Sequence, residues 1–275
     1  MIKTIRKIPF TALLGLVITS LIFLMAILAP YIAPYGLGEI VGKVWEPSSS
    51  RSWLGTDNIG RDLLSRMIYG GRTTIFIACA ATILSFTVGS VLGFIAVVVG
   101  GWADLFLSRL VDLIMSVPGL IFALVILSVI PPSIPVLIVV MAFLDATRVF
   151  RLSRSVAESI HVMDYIEVAK LRGEGTGWIV LREILPNALT PLVSELGLRF
   201  IFMVLYLSTL SFLGLGIQPP GTDWGAIVKE NSDGLIYGVN AALVPAVAIA
   251  TLSISVNLVA DWVLSLTTST KGSGQ

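Results

Sequence analysis

Long apolar runs separated by short polar stretches run through the whole chain. Phe10 to Ile32 contains no charged residue, and neither does Thr73 to Val99. Leu105 to Ile130 is apolar apart from Arg109 and Asp112 near its start. Leu189 to Leu215 carries Glu195 and Arg199, and Val239 to Leu266 meets only Asp261 near its end. A sixth run, Ile134 to Thr147, is short and includes Asp145. A helix rises about 1.5 Å per residue, so about 20 apolar residues cross a hydrocarbon layer of roughly 30 Å. Five runs meet that length and the sixth is marginal. Only helices or closed barrels satisfy their backbones in lipid, and these runs lack the alternation of barrel strands. The expected class is an all-α membrane protein with six transmembrane helices.

Lys3, Arg6 and Lys7 precede the first run, as they would in a secretory signal. The run is too long for a signal core, and Pro30, Tyr31 and Pro34 do not form a small-residue cleavage site. It reads as a retained anchor. Residues 1–9 are then a cytoplasmic N-terminus and 10–32 the first transmembrane helix. Residues 33–72 form an external segment with an amphipathic helix, and 73–266 form the transmembrane core. Within the core, 216–238 lie outside, a loop over about 150–187 lies inside, and 267–275 form a cytoplasmic tail. Ten Lys and Arg fall on the predicted inside and six outside, with Arg109 and Arg199 within spans. This is a weak positive-inside bias. Gly36 to Ser52, rich in Gly, Pro and Ser, reads as loop. Ser269, Gly272, Ser273 and Gly274 suggest a flexible end.

Composition agrees with a lipid-facing surface: 56% of residues are hydrophobic and only 13% charged, against about 25% in soluble domains. A net charge of +1 gives no footing for a nucleic-acid partner. The single cysteine, Cys79, excludes an intrachain disulfide and reads as a small apolar packing residue. His161 is the only histidine, so no triad or His-based metal site can be assembled, and it reads as a solvated loop residue. Gly173, Gly175 and Gly177 follow no strand, and no phosphate-loop pattern occurs, so the chain itself is not expected to hydrolyse ATP.

Several polar features within this frame bear on function. Asp57 is placed to cap a helix starting near Ile59, with Ser65, Arg66 and Tyr69 on one of its faces. Gly214, Gly216, Pro219 and Pro220 end the fifth run abruptly, and Trp224 behind them is a candidate interface anchor. Gly89 and Gly93 permit close helix packing, either internal or with another subunit. Arg109 and Asp112 are three apart, and Glu195 and Arg199 four apart, so each pair can neutralise itself. Either pair is a structural ion pair facing the bundle or a contact on a transport pathway. In the inside loop, Val156, Ile160, Met163, Ile166, Ala169 and Lys170 fit an amphipathic helix, followed by a glycine break, a second short helix and Pro186. Such a helix cannot bury its apolar stripe alone. Lipid headgroups or a partner protein would cover it.

That loop carries the most specific signal. Glu167, Ala169 and Gly173, followed by Leu185 and Pro186, resemble the EAA motif of binding-protein-dependent ABC importer permeases, with Val168 where alanine is usual. Leu54, Gly55, Thr56, Asp57, Gly60, Arg61 and Asp62 resemble the dipeptide, oligopeptide and nickel branch in particular. So do Gly214, Gly216, Pro219, Pro220, Asp223 and Trp224, with Val117, Pro118 and the Arg148 and Arg151 pair also fitting. The resemblance covers residues 8 to 266 and points to the C-type permease of a pair. It implies the type I importer fold with a cytoplasmic coupling helix, in which Tyr165, Glu167, Ala169, Gly173, Leu185 and Pro186 meet the ATPase. It also implies a homologous second permease, two ATPase subunits that bind ATP and Mg, a periplasmic substrate-binding protein, and a bacterial inner-membrane location. No cofactor is expected in the chain itself. Physics alone leaves open an ATP-independent channel or secondary transporter, and a structural or assembly membrane protein.

Overall fold

The structure, a computed structural model, describes residues 8–271. Lys3, Arg6, Lys7 and residues 272–275 lie outside the described residues. The described chain is helical, with two isolated antiparallel bridges near residues 40–62 in place of a sheet. We label the principal helices α1 (Phe10–Ile27), α2 (Leu63–Val99), α3 (Gly101–Met115), α4 (Gly119–Val129), α5 (Ile134–His161), α6 (Asp164–Leu171), α7 (Leu185–Phe212), α8 (Trp224–Asn231) and α9 (Leu243–Lys271).

Among the described residues, four helical stretches are long and apolar enough to cross a membrane: Phe10–Ile27, Leu63–Val99, Thr176–Phe212 and Asn240–Ser265. α3 and α4 together make a fifth, bent by 80°. Pro118 directly precedes α4, and proline disfavours helix in the residue before it, which explains the break. α5 has the length, at 28 residues, but Asp145, Arg148 and Arg151 fall within its first 18. By length and composition the six expected spans are therefore four, or five with the bent pair.

Several expected boundaries shift. The second span starts at Leu63, ten residues early, because the cap is Asp62 and not Asp57: the Asp62 carboxylate accepts the Ser65 amide at 2.8 Å. The amphipathic helix expected in the external segment is thus the first turns of α2 itself. The fourth run does not stop at Thr147 but continues to His161, taking Val156 and Ile160 out of the loop. The expected second loop helix is continuous with the fifth span. Thr176–Trp178 passes through a π-helical stretch, Ile179–Ile184, into α7. Pro186 lies directly after the π-helical stretch, at the start of the regular α7 geometry. At the other end, α9 reaches Lys271, so the tail expected from Thr267 is helical for its first five residues.

α2 and α5 form the axis of the molecule, packed along most of their lengths. Their approach depends on Gly89 and Gly93. A Cβ on Gly89 would lie 2.7 Å from the Ala146 carbonyl oxygen, and one on Gly93 would lie 2.9 Å from that of Phe150. These glycines serve internal packing. α7 and α9 pack beside this axis, and α1 leans on α9, with Thr19 Oγ1 bonded to Ser255 Oγ at 3.1 Å. One apolar core fills the half of the bundle holding Leu63, Ile77, Met141, Leu207 and Trp224. A second lies at the opposite end of α2, around Phe86, Phe94, Ile160, Ile166 and Ile184. Cys79 is partly buried against the first.

Candidate functional site

Polar chemistry concentrates at three levels. At the end where α2 begins, Asp57, Gly60, Arg61 and Asp62 form a buried knot. The Asp57 carboxylate accepts the amides of Ile59 and Arg61 at 3.0 and 2.9 Å, Arg61 Nε at 2.6 Å and Arg66 Nη1 at 2.7 Å. Burial pushes this carboxyl up, but those amides and the two guanidiniums outweigh it and hold Asp57 below its ordinary 3.8. Asp62 accepts the Ser52 hydroxyl at 2.5 Å and the Ser65 hydroxyl at 2.7 Å. Gly60 turns with φ +88°, and a Cβ there would strike the Gly42 carbonyl, so only glycine suits the position. Arg61 and Arg66 also reach Glu230 on α8, and Arg66 donates to Thr222 at 2.9 Å. The Asn231 side-chain oxygen accepts Trp45 Nε1 and the Asn58 amide. The Asp223 carboxyl, nearly enclosed, is pushed up by burial. It caps α8 through the Ala226 amide and takes the Ser211 hydroxyl at 2.8 Å. Trp224 is not an interface anchor: it is 1% exposed and donates Nε1 to the Met67 carbonyl at 2.9 Å.

Inside the bundle, Arg199 on α7 donates to Glu195 at 2.7 Å and reaches Asp145 on α5 at 3.4 Å. The Ser85 hydroxyl on α2 donates to Asp145 at 3.1 Å. The pair is therefore part of a charged triad on α5 and α7, and the Ser85 hydroxyl ties it to α2. Arg109 and Asp112 do not pair. Asp112 takes Arg151 of α5 at 2.6 Å, while Arg109 is exposed with no carboxylate within 4.0 Å among the described residues. Residues three apart on α3 are near one face, but the Asp112 carboxylate is taken by Arg151 of α5. Asp145 also lines a cavity of about 490 Å³ bounded by the α3–α4 bend, α5 and α7.

At the opposite end lies the loop. α6 buries Ile166 and Ala169, both 0% exposed, in the second core against Ile179, Val180 and Ile184. The expectation that its apolar stripe needs an outside cover is thus corrected for this half: the chain covers it with its own π-helical stretch. A different apolar row remains uncovered. Val162 is 78% exposed, Val168 52% and Leu171 82%, with Tyr165 also exposed beside them. Glu167 is exposed on the same short helix, and Pro186 is exposed while Leu185 is half-buried. Gly173 takes φ +81° and lets the chain turn from α6, its amide donating to the Lys170 carbonyl at 2.9 Å. His161 is not simply solvated. Its Nε2 lies 2.7 Å from Lys170 Nζ, and burial together with that ammonium lowers its pKa from 6.5. An ammonium only donates, so Nε2 accepts.

The sequence did not reveal Glu230, Thr222 or Asn231 as partners of the Asp57 knot, nor Asp145 as part of the triad. The residue types carried no signal; only the fold brings them within reach.

A helical bundle with long apolar stretches and ion pairs held between its helices defines a polytopic membrane protein, and the comparisons specify which. Residues 85–267 match the family described as binding-protein-dependent transport system inner membrane component. The chain is 33% identical over 258 residues to the dipeptide transport system permease protein DppC of Haemophilus influenzae, covering 91% of this chain and 87% of that protein. It is 33% identical over 255 residues to a putative peptide transport system permease of Brucella suis, covering 90% and 84%. To the di/tripeptide transport system permease protein DppC of Pseudomonas aeruginosa it is 31% identical over 257 residues, covering 91% and 85%. The chain belongs to the inner-membrane permease family of bacterial binding-protein-dependent ABC importers.

Proposed function

We propose that this chain is one of two permease subunits of an ATP-driven importer of short peptides. It forms the pathway with a homologous second permease and couples through α6 to two ATPase subunits. The observation that carries this reading is the divided surface of α6. Ile166 and Ala169 fasten the helix to the rest of the chain, while Val168 and Leu171 on the helix and Val162 just before it stand exposed. Water-exposed apolar side chains on a helix anchored from behind suit a protein groove. Because α6 is tied to α7 through the π-helical stretch, a push on α6 is delivered to the helix that carries Arg199. ATP and Mg belong to the partner subunits, and hydrolysis occurs there.

In this reading α5 and the bent α3–α4 pair complete six spans. Both termini and the α6 loop face the cytoplasm, and the Asp57 knot faces the periplasm, where a substrate-binding protein delivers its cargo. Peptide as cargo is supported by the relatives, whose names specify peptides, dipeptides and di/tripeptides. Cycling then requires ATP-bound ATPases to prefer one arrangement of the two permeases over the other. The test is reconstitution in proteoliposomes with the second permease, the ATPases and the binding protein. Uptake of radiolabelled dialanine that requires ATP and all subunits is the expected result. Uptake by the permeases alone would make the protein a channel or secondary transporter.

A further inference from the structure

Three arginines follow one another along α5 at three-residue steps: Arg148, Arg151 and Arg154. Two are matched by acids on α3. Arg154 forks onto Asp104 at 2.6 and 2.7 Å, and Arg151 donates to Asp112 at 2.6 Å. Arg148 is the unmatched rung. It has no carboxylate within 4.0 Å among the described residues, and α3 offers none past Asp112, where Met115, Ser116 and Val117 follow. Arg148 is exposed and lines the 490 Å³ cavity beside the α3–α4 bend.

The other polar groups of that cavity are engaged. Asp145 holds Ser85 and Arg199, the Tyr206 hydroxyl donates to the Gly119 carbonyl at 2.7 Å, and the Thr147 hydroxyl donates to the Leu144 carbonyl. The Thr209 hydroxyl donates to the Leu205 carbonyl. Arg148 acts on the Asp145 charge one turn before it, beyond ion-pair distance, and among the described residues it is the charged group of this cavity that holds no carboxylate within 4.0 Å; other walls, among them Ile114, Met141 and Phe202, are apolar. It lies within the length of α5, about 21 Å along the axis from Ile134 at about 1.5 Å per residue. An ionised side chain at membrane depth faces a bundle interior or a water-filled route and marks a path. A guanidinium is a planar fork whose geometry matches a carboxylate. We infer that Arg148 holds the C-terminal carboxylate of a peptide in transit, with the apolar cavity walls taking its side chains. The inference rests on the peptide-importer reading and names the contact that reading lacks.

Two measurements on the reconstituted transporter test it. The first is dialanine moved per ATP hydrolysed. Arg148→Gln should lower it at least tenfold, and Arg148→Lys, which keeps the charge without the fork, should restore part of it. The second reads the cavity directly. In a Cys79→Ala background, Thr209→Cys should be alkylated more slowly in the presence of dialanine but not of alanyl-alaninamide, and Arg148→Gln should abolish that protection. Transport by Arg148→Gln at the wild-type ratio, or equal protection by both peptides, overturns the inference. So does loss of the second permease from both Arg148 variants, because Arg148 would then be paired with an acid on that subunit. If the unmodified transporter moves no dialanine with ATP, the peptide-importer reading fails, and the inference with it.

Discussion

Arg66 and Glu230 stand 164 residues apart in sequence, yet both terminal nitrogens of the guanidinium meet the two oxygens of that carboxylate. The same guanidinium holds Asp57, so Arg66, 1% exposed, is the centre of the knot joining the segment before α2 to α8. Removing one partner of a buried pair leaves the others charged without compensation, at a cost of roughly 3–5 kcal/mol. Arg66→Ala should therefore lower the Tm of the purified protein markedly, and more than Arg61→Ala, whose side chain is less enclosed. Equal losses from the two would remove Arg66 from the centre.

The Asp57 carboxyl gives this knot a pH dependence. Its folded pKa is lowered below the ordinary 3.8. A lowered acid contributes stability that is present above its ordinary value and is lost as pH falls through the folded one. The wild type should then lose Tm as the pH falls below about 4. Asp57→Asn should start from a lower Tm at neutral pH and lack that part of the acid loss. Parallel curves for the two proteins would show that Asp57 does not titrate with unfolding.

Gly89 and Gly93 allow α2 and α5 to approach, and neither position has room for a Cβ. Overfilling a tight contact costs about 1–3 kcal/mol. Gly89→Val and Gly93→Val should each reduce thermal stability in detergent. Gly175→Ala is the control: nothing lies within 4 Å of a Cβ there and its φ is not positive, so its Tm should hardly move.

The long hydrophobic runs were legible because the lipid solvent imposes a length and a composition on any span. Phe10–Ile27, Leu63–Val99 and Thr176–Phe212 emerged with shifts only at their ends. The shift at the start of α2 has a local cause. Hydropathy marks where lipid contact starts, whereas a helix starts where its amides are capped, and Asp62 caps α2 ten residues before the apolar run begins. The charged half of α5 was hidden for the same reason, since Arg148, Arg151 and Arg154 continue a helix that hydropathy ends. The Glu195 and Arg199 contact was legible because helical spacing dictates it. Arg109 with Asp112 had similar spacing and failed because Arg151, on another helix, is the better-placed donor. Side chains on separate helices have no sequence spacing to read.

The interior triad leads to a graded prediction. Arg199 faces Glu195 and, more weakly, Asp145. Arg199→Ala strands two carboxylates and should be the most damaging single change for assembly in the membrane. Adding Glu195→Ala removes one and should recover part of the loss. Adding Asp145→Asn as well should recover more. The measurement is the yield of folded, monodisperse protein from each variant. Recovery that did not follow this order would show that the arginine serves something other than neutralisation.

The division of α6 into a held face and an exposed face separates folding from coupling. The family resemblance puts Ala169 among the residues that meet the ATPase, whereas in the chain alone it is buried in its own core beside Ile166. Ala169→Trp should therefore overfill that core by about 1–3 kcal/mol, lowering the Tm of the isolated chain before any partner is added. Val168→Gln with Leu171→Gln touches only exposed positions and keeps good helix formers in place. The isolated double variant should fold with an unchanged Tm and still join the second permease. It should fail to retain the ATPase subunits on purification, or should lose the stimulation of ATP hydrolysis by the loaded binding protein. Full ATPase stoichiometry and full stimulation in that variant would move the coupling surface away from Val162, Val168 and Leu171, and the proposed route from α6 into α7 would lose its starting point.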